Sequence, residues 1–167
     1  IHKNFNIKDA QNIKKIENIK KQDVKSIEYF LIEKFDKHKT LKDKKEIIHF
    51  CATSEDINNI SYALMFIETR KILLKKINEL IKIINKYEKK YSNTAMISRT
   101  HGQKASPTTF GKELKIFTSR VKKQLRFFET REIYGKMNGA VGNYNAHYFV
   151  LPQVKWDIET KKFLNTL

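Results

Sequence analysis

Apolar residues at helical spacing through the middle of the chain constrain the fold more than any other feature. Their steps of three and four match the helical period, so they form one face of a long helix. Thr53 and Ser54 are good N-cap residues at its start, and Asp56 lies three residues after Thr53, which is close to the pattern of a capping box. We expect this helix to run to about Tyr91. Its apolar face consists of Ile57, Ile60, Leu64, Ile67, Leu74, Ile77, Ile81 and Ile84.

A helix of this length would be on the order of 55–60 Å long at 1.5 Å per residue, which is more than one small domain needs. It predicts an extended bundle that is shared between subunits, because this chain is too short to bury the whole apolar face by itself. The sequence contains only 5 glycines and 2 prolines, which also favours long helices. The predicted fold is therefore all-α, with long antiparallel helices.

Three further helical segments are predicted on either side of the central helix. The middle one rests on Ser106 as N-cap and Pro107 as first helical residue, a position where the missing N–H of proline costs nothing. The connection before it, 92–106, and the Gly/Asn-rich segment 139–147 are predicted loops. The helical segments are 7 to about 37 with a break near 19–21, 106 to about 135, and 156–167.

The formal net charge of +16 has two interpretations. A basic surface can bind nucleic acid, and the chain would then be a basic helical nucleic-acid-binding module. Its lysines are, however, spread along the whole sequence and do not gather in one stripe. We therefore favour a solvated surface and expect no nucleic-acid partner; salt-sensitive binding to DNA or RNA would support the alternative.

The cysteine and hydropathy patterns predict a cytoplasmic location. The single cysteine, Cys51, cannot form an internal disulfide, which fits a reducing compartment. The residues around Ile1 are polar and charged, unlike a signal peptide, and no apolar run reaches the roughly 20 residues of a membrane span. No spacing of His and Cys typical of a metal site occurs. We expect no membrane partner and no bound metal.

Three stretches are not explained by structure alone. In 51–59, CATSEDINN, hydroxyl groups lie beside the N–H groups of a helix N-terminus, which together can bind carboxylate or phosphate. In 99–109, RTHGQKASPTT, His101 could act as an acid or base near neutral pH, or could be an ordinary loop histidine. In 135–147, GKMNGAVGNYNAH, small residues permit close approach of the backbone to a ligand or to a neighbouring helix.

Together these stretches resemble the adenylosuccinate lyases of the fumarase/aspartase superfamily. FCATSEDINN is similar to the superfamily's first conserved region and SRTHGQKASPTTFGKE to its second. GKMNGAVGNYNAH with LPQVKW resembles the end of the second long helix in bacterial-type enzymes, and DVKSIEYFL resembles an upstream D-V-K-A-V-E-Y-F-L segment. The resemblance implies a fumarase/aspartase-like fold in which residues 1–52 end an N-terminal helical region and residues 53–167 form part of the central helical bundle.

The resemblance also implies a lyase that breaks a C–N bond by β-elimination. Such an enzyme converts adenylosuccinate to AMP and fumarate in purine nucleotide biosynthesis, and it cleaves a succinylated imidazole carboxamide ribotide in the same way. It works without a cofactor, as a homotetramer whose active sites take residues from three subunits. Another lyase of the superfamily, such as an argininosuccinate lyase or a fumarase, is the alternative within enzymes.

Carried over residue by residue, the resemblance makes His101 the general acid that protonates the leaving nitrogen. Thr53 and Ser54 would bind the anionic end of the substrate, which agrees with their position at a helix N-terminus. Thr100 would assist in binding.

This sequence departs from the family pattern at two points. Asp23 matches the aspartate of the family's H-D-V segment, and the resemblance implies that it binds substrate together with the residue before it, but that residue is Gln22 here where histidine is usual. Glutamine can hydrogen-bond to phosphate or carboxylate but cannot carry a proton at neutral pH. The family's third region, a G-S-S-x-M-P-x-K-x-N loop with the serine base, does not occur in these residues, and we expect the chain by itself to be inactive.

Overall fold

The computed structural model describes residues 2–167, and the side chains of residues 3–167. Within them, helices dominate, as the sequence predicts, and a single two-stranded hairpin is the only sheet. None of the helices in this part of the chain is both long and apolar enough to span a membrane. The helices are α1 (Ile7–Lys20), α2 (Asp23–Asp36), α3 (Ser54–Lys90), α4 (Phe110–Thr130), α5 (Asn145–Val150) and α6 (Trp156–Leu164), with short 3₁₀ helices at His2–Asn4 and Lys42–Ile47, and the strands are β1 (Ala95–Thr100) and β2 (Gln103–Thr109).

The chain divides into two compact units. One holds the residues up to Leu64 together with Tyr134–Leu167, and the other holds Met65–Ile133. Helix α3 begins in the first unit and continues into the second.

Helices α1 and α2 form an antiparallel pair in the first unit. The side chain of Asn6 starts α1 by accepting hydrogen bonds from the backbone N–H groups of Lys8 (2.9 Å) and Asp9 (3.4 Å). The helix ends at Lys20, and its C-cap residue, Lys21, is left-handed with a φ of 57°, so the predicted break at this point is confirmed. Lys34 of α2 pairs with Asp9 at 2.9 Å, which joins the end of α2 to the start of α1.

Helices α3 and α4 run antiparallel in the second unit. Lys115 of α4 pairs with Glu88 near the end of α3 at 3.9 Å, and Arg70, farther back on α3, donates to the backbone carbonyl of Arg131 just after α4. The helices approach closely at Gly111, where a Cβ would lie 2.5 Å from the carbonyl oxygen of Glu88. Only glycine fits at this position. The contacts of α4 with α3 confirm the antiparallel arrangement that the sequence predicts.

Helix α3 has nearly the predicted bounds, and its predicted apolar face is mostly half-buried, with Ile81 only 5% exposed. The buried apolar residues among positions 3–167 are Val24, Phe30 and Ile81, which is a small core. Apolar side chains on the other faces of α3 remain open to solvent, and such a surface favours packing against a partner. These exposed residues are Tyr62, Met65, Phe66, Ile72, Leu73, Leu80, Ile83 and Tyr87.

The prediction that Ser106 and Pro107 begin a helix is wrong. Both lie in β2, where Pro107 pairs with Ile97 of β1, and α4 begins only at Phe110. Thr109 is the N-cap, and its side chain accepts from the backbone N–H of Lys112 at 3.3 Å. Segment 92–106 therefore contains most of a β-hairpin, because strand pairing satisfied backbone groups that a loop would have left to solvent.

The ends of the later helices also differ from the prediction. Helix α4 ends at Thr130 and does not reach Gly135, and α6 ends at Leu164. The predicted loop 139–147 contains the start of α5 at Asn145. Helix ends depend on capping partners more than on periodicity, so the apolar pattern located these helices without defining their bounds.

Candidate functional site

An open cleft of about 650 Å³ lies in the first unit. Three residues predicted to bind substrate, Gln22, Asp23 and Ser54, line it together. Helix α2 begins at Asp23 and α3 at Ser54, so two helix N-termini border the same space. The remaining lining residues are Glu17, Asn18, Lys21, Lys25 and His49.

The charges around the cleft suit a negatively charged ligand that also carries hydrogen-bond donors. The partial positive charge of the two helix N-termini and the ammonium group of Lys21 attract anions, whereas the carboxylate of Glu17 repels them and the ammonium group of Lys25 pairs with Glu28 at 2.7 Å. Asp23 also opposes this attraction, with a carboxylate whose pKa is lowered, chiefly because the backbone N–H of Val24 donates to it at 2.7 Å. Burial raises this pKa and a weak bond of 3.5 Å from Asn58 lowers it further.

Asp56 organises the start of α3 beside the cleft. Its side chain is fully buried and accepts the backbone N–H of Thr53 at 3.0 Å, the half of the capping box in which the third helical residue bonds back to the cap. The same carboxylate accepts the ammonium group of Lys136 at 2.9 Å and the backbone N–H groups of Asn138 (3.2 Å) and Gly139 (3.1 Å). Asp56 therefore ties the stretch 51–59 to the stretch 135–147.

The environment of Asp56 keeps it ionised. Burial raises its pKa, but the hydrogen bonds from Thr53, Lys136 and Asn138 lower it more, and the net pKa lies below the ordinary range. Asn59 adds two bonds to the same segment, accepting from the backbone N–H of Lys136 at 2.8 Å and donating to its carbonyl at 3.0 Å. Sequence reasoning identified Asp56 only as a capping residue, since its partners near Lys136 are remote in the chain.

His49 is a lining residue that the sequence reasoning did not assign to the site. Its Nδ1 lies 2.9 Å from Oε2 of Glu28, and its buried Nε2 has no hydrogen-bond partner among the described residues. Its backbone is left-handed, with φ of 67°, a conformation that costs energy for a histidine. Its position shortly before Thr53 is the signal that could have drawn attention to it.

His101 and Thr100 lie in the second unit, at the tip of the β-hairpin. His101 and Gly102 form the turn, with φ of 48° and 76°, and Thr100 pairs with Gln103 at the last position of the ladder. Two consecutive left-handed residues are typical of a type I′ turn, which matches the twist of the strands. Both Thr100 and His101 are exposed, and we find no hydrogen bond to the His101 ring within residues 3–167. The predicted compact loop is therefore a hairpin turn that presents an unpaired imidazole.

His147 is buried in a structural environment at the end of the segment 139–147 that the sequence predicted to be a loop. It is 3% exposed, and its ring packs against Trp156 (4.9 Å between centroids) and Tyr144 (5.6 Å). No group of His, Cys, Asp and Glu side chains in the described part of the chain has an arrangement that could hold a metal ion.

Known proteins resemble this chain in both sequence and fold. Relatives named adenylosuccinate lyase are 45% identical over 165 residues in Haemophilus influenzae, 46% over 162 in Vibrio cholerae and 44% over 164 in Escherichia coli. These alignments cover 98%, 96% and 98% of this chain but 36% of each relative, so the chain spans about a third of their length. The resemblance found in the sequence motifs is thus confirmed over nearly the whole chain.

Solved structures agree on the fold. A fumarate lyase from Mesorhizobium sp. BNC1 has a TM-score of 0.72 at 19% identity, covering 86% of this chain and 33% of its own. A 3-carboxy-cis,cis-muconate lactonizing enzyme from Pseudomonas putida has a TM-score of 0.72 at 16% identity, covering 87% and 32%. Residues 1–160 match the family described as Lyase. With this match over most of its length, the chain belongs to the lyase family.

Proposed function

We propose that the protein cleaves adenylosuccinate to AMP and fumarate by β-elimination of a C–N bond, and cleaves the succinylated imidazole carboxamide ribotide likewise, in purine nucleotide biosynthesis. The observation that carries this proposal is the identity of 42–46% to enzymes named adenylosuccinate lyase, extending over 96–100% of the chain. A basic nucleic-acid-binding module would need neither this sequence similarity to enzymes nor a cleft bordered by two helix N-termini. We expect a cytoplasmic enzyme without nucleic-acid or membrane partners.

We assign substrate binding to residues of the first unit and proton donation to a residue of the second unit. We assign the anionic groups of the substrate to the cleft, where Ser54, with Thr53 beside it, lies at the N-terminus of α3 and Gln22 and Asp23 lie at that of α2. His101 would protonate the leaving nitrogen. Its exposure at a hairpin tip fits a site that is completed by other subunits, as the resemblance implies.

Activity assays on the full-length protein test this proposal. Adenylosuccinate and argininosuccinate are supplied side by side, and release of fumarate is measured for each. We expect rapid release from adenylosuccinate and little from argininosuccinate. Release from argininosuccinate alone would favour the other lyase class, and release from neither would refute the proposal.

Gln22→Ala is expected to raise KM by about 10- to 100-fold with little change in kcat, because one hydrogen bond to an anionic group of the substrate is lost while proton transfer is not affected. Gln22 caps α2 without a side-chain hydrogen bond, so the substitution leaves the helix start intact. Steady-state kinetics of the full-length protein measure the effect, with exposed Gln11→Ala on α1 as control. A large fall in kcat would show that Gln22 does more than bind.

The full-length protein is expected to be a homotetramer in sedimentation experiments. The exposed apolar side chains along α3 need a partner surface, and a helical bundle made with α3 from other subunits would supply it. We also propose that residues 1–52 end an N-terminal helical region and that residues 53–167 form part of this bundle. A protein that sediments only as a monomer would contradict it.

A further inference from the structure

Glu28 of α2 is a half-buried residue that connects a lysine and the histidine of the cleft. Its Oε1 binds the ammonium group of Lys25 at 2.7 Å, and its Oε2 lies 2.9 Å from Nδ1 of His49. The side chains of Glu28 and His49 are 14% and 23% exposed, so solvent screens these contacts only partly. Lys25 and His49 both line the cleft, whereas Glu28 lies behind them.

This arrangement determines which nitrogen of His49 carries a proton. Burial raises the pKa of Glu28, but hydrogen bonds from Lys25 and His49 lower it more, so the side chain is a carboxylate at neutral pH. An ionised carboxylate only accepts hydrogen bonds, and the Nδ1 of His49 must therefore donate. The other ring nitrogen, Nε2, is buried and has no hydrogen-bond partner among the residues described.

We propose that Glu28 is a positioning residue, which holds His49 in the Nδ1–H form and keeps its ring in one orientation at the wall of the cleft, where it supports substrate binding. The proposal rests on the proposed function for the identity of the substrate. Lys25 contributes by holding the carboxylate in place. A carboxylate behind a histidine commonly selects its tautomer and orientation in this way.

Kinetics of the full-length protein test the coupling between the two residues. Glu28→Gln removes the charge but keeps the size, and we expect kcat/KM for adenylosuccinate to fall by about 10- to 100-fold, as for loss of a charge-assisted hydrogen bond. In a His49→Ala background the same substitution should cause little further loss, because Glu28 acts through His49. Glu33→Gln on the exposed side of α2 is the control and should leave kcat/KM unchanged. Equal losses from Glu28→Gln in both backgrounds would overturn the proposal.

A second measurement does not depend on activity. With ¹⁵N-labelled histidine, two-bond ¹H–¹⁵N spectra report which ring nitrogen is protonated, and the His49 signal is the one absent from His49→Ala. We expect the Nδ1–H form in the wild type and a mixture of tautomers in Glu28→Gln. An Nε2–H form in the wild type would overturn the proposal even if adenylosuccinate is cleaved. Absence of cleavage together with the Nδ1–H form would refute the proposed function and leave the role of Glu28 in orienting His49 standing.

Discussion

His101→Ala in the full-length protein is expected to lower kcat by about 10²–10⁴-fold, the usual contribution of a general acid, with a much smaller change in KM. The leaving nitrogen must gain a proton as the C–N bond breaks, and alanine cannot supply one. Binding should suffer less, because the proposed anion site at Thr53 and Ser54 is formed by other elements. Steady-state kinetics with adenylosuccinate measure both constants.

The backbone at His101 requires a matched second variant. Its φ of 48° is left-handed, and alanine at such a position strains the hairpin turn, so His101→Ala alone could act by distorting the turn. Asparagine tolerates this conformation but cannot serve as an acid, and His101→Asn should therefore lose as much kcat as His101→Ala. His38→Ala, at an exposed histidine, is the control and should retain activity. Near-normal kcat in His101→Asn would exclude the general-acid role.

Asp56→Ala is expected to lower the free energy of unfolding by on the order of 3 kcal/mol, the largest effect on stability that we predict. The substitution removes the acceptor for three backbone N–H groups and the partner of Lys136, and it weakens the attachment of the segment 135–147 to α3, where the two hydrogen bonds of Asn59 to Lys136 remain. Lys136 remains 34% exposed and can be solvated again, which keeps the loss below that of a completely buried ion pair. Denaturant unfolding of the full-length protein measures the difference.

The pH dependence of stability gives an independent test of the same residue. The pKa of Asp56 is lower in the folded than in the unfolded chain, so its contribution to stability is complete above the unfolded pKa and is lost as pH falls through the folded one. Acid should therefore destabilise the wild type more than Asp56→Ala. Glu55→Ala, an exposed substitution in the same helical turn, should have little effect on either measure. Equal acid sensitivity of wild type and Asp56→Ala would contradict this role.

The motifs predicted which residues line the candidate cleft more completely than they predicted the surroundings of His101. Gln22, Asp23 and Ser54 each lie at the start of a helix, and helix starts could be read from local sequence. The hairpin that carries His101 was missed because Ser106 and Pro107 imitate the start of a helix. Pairing with β1 outweighed that local signal, as tertiary and cross-strand contacts often do for short segments.

By itself, the sequence determined the long helices, the break near Lys21, the start of α3 and the lyase motifs, because these depend on periodicity, capping residues and contiguous residue patterns. Only the tertiary structure decided that Asp56 binds Lys136 and Gly139, that Glu28 binds His49, and that His147 is buried. Each of these depends on residues that are distant in the chain. Periodicity identifies which face of a helix is apolar. The partner of a buried charge is decided only when separate segments pack together, because the charged group then has no water to bind and must pair with another group of the protein.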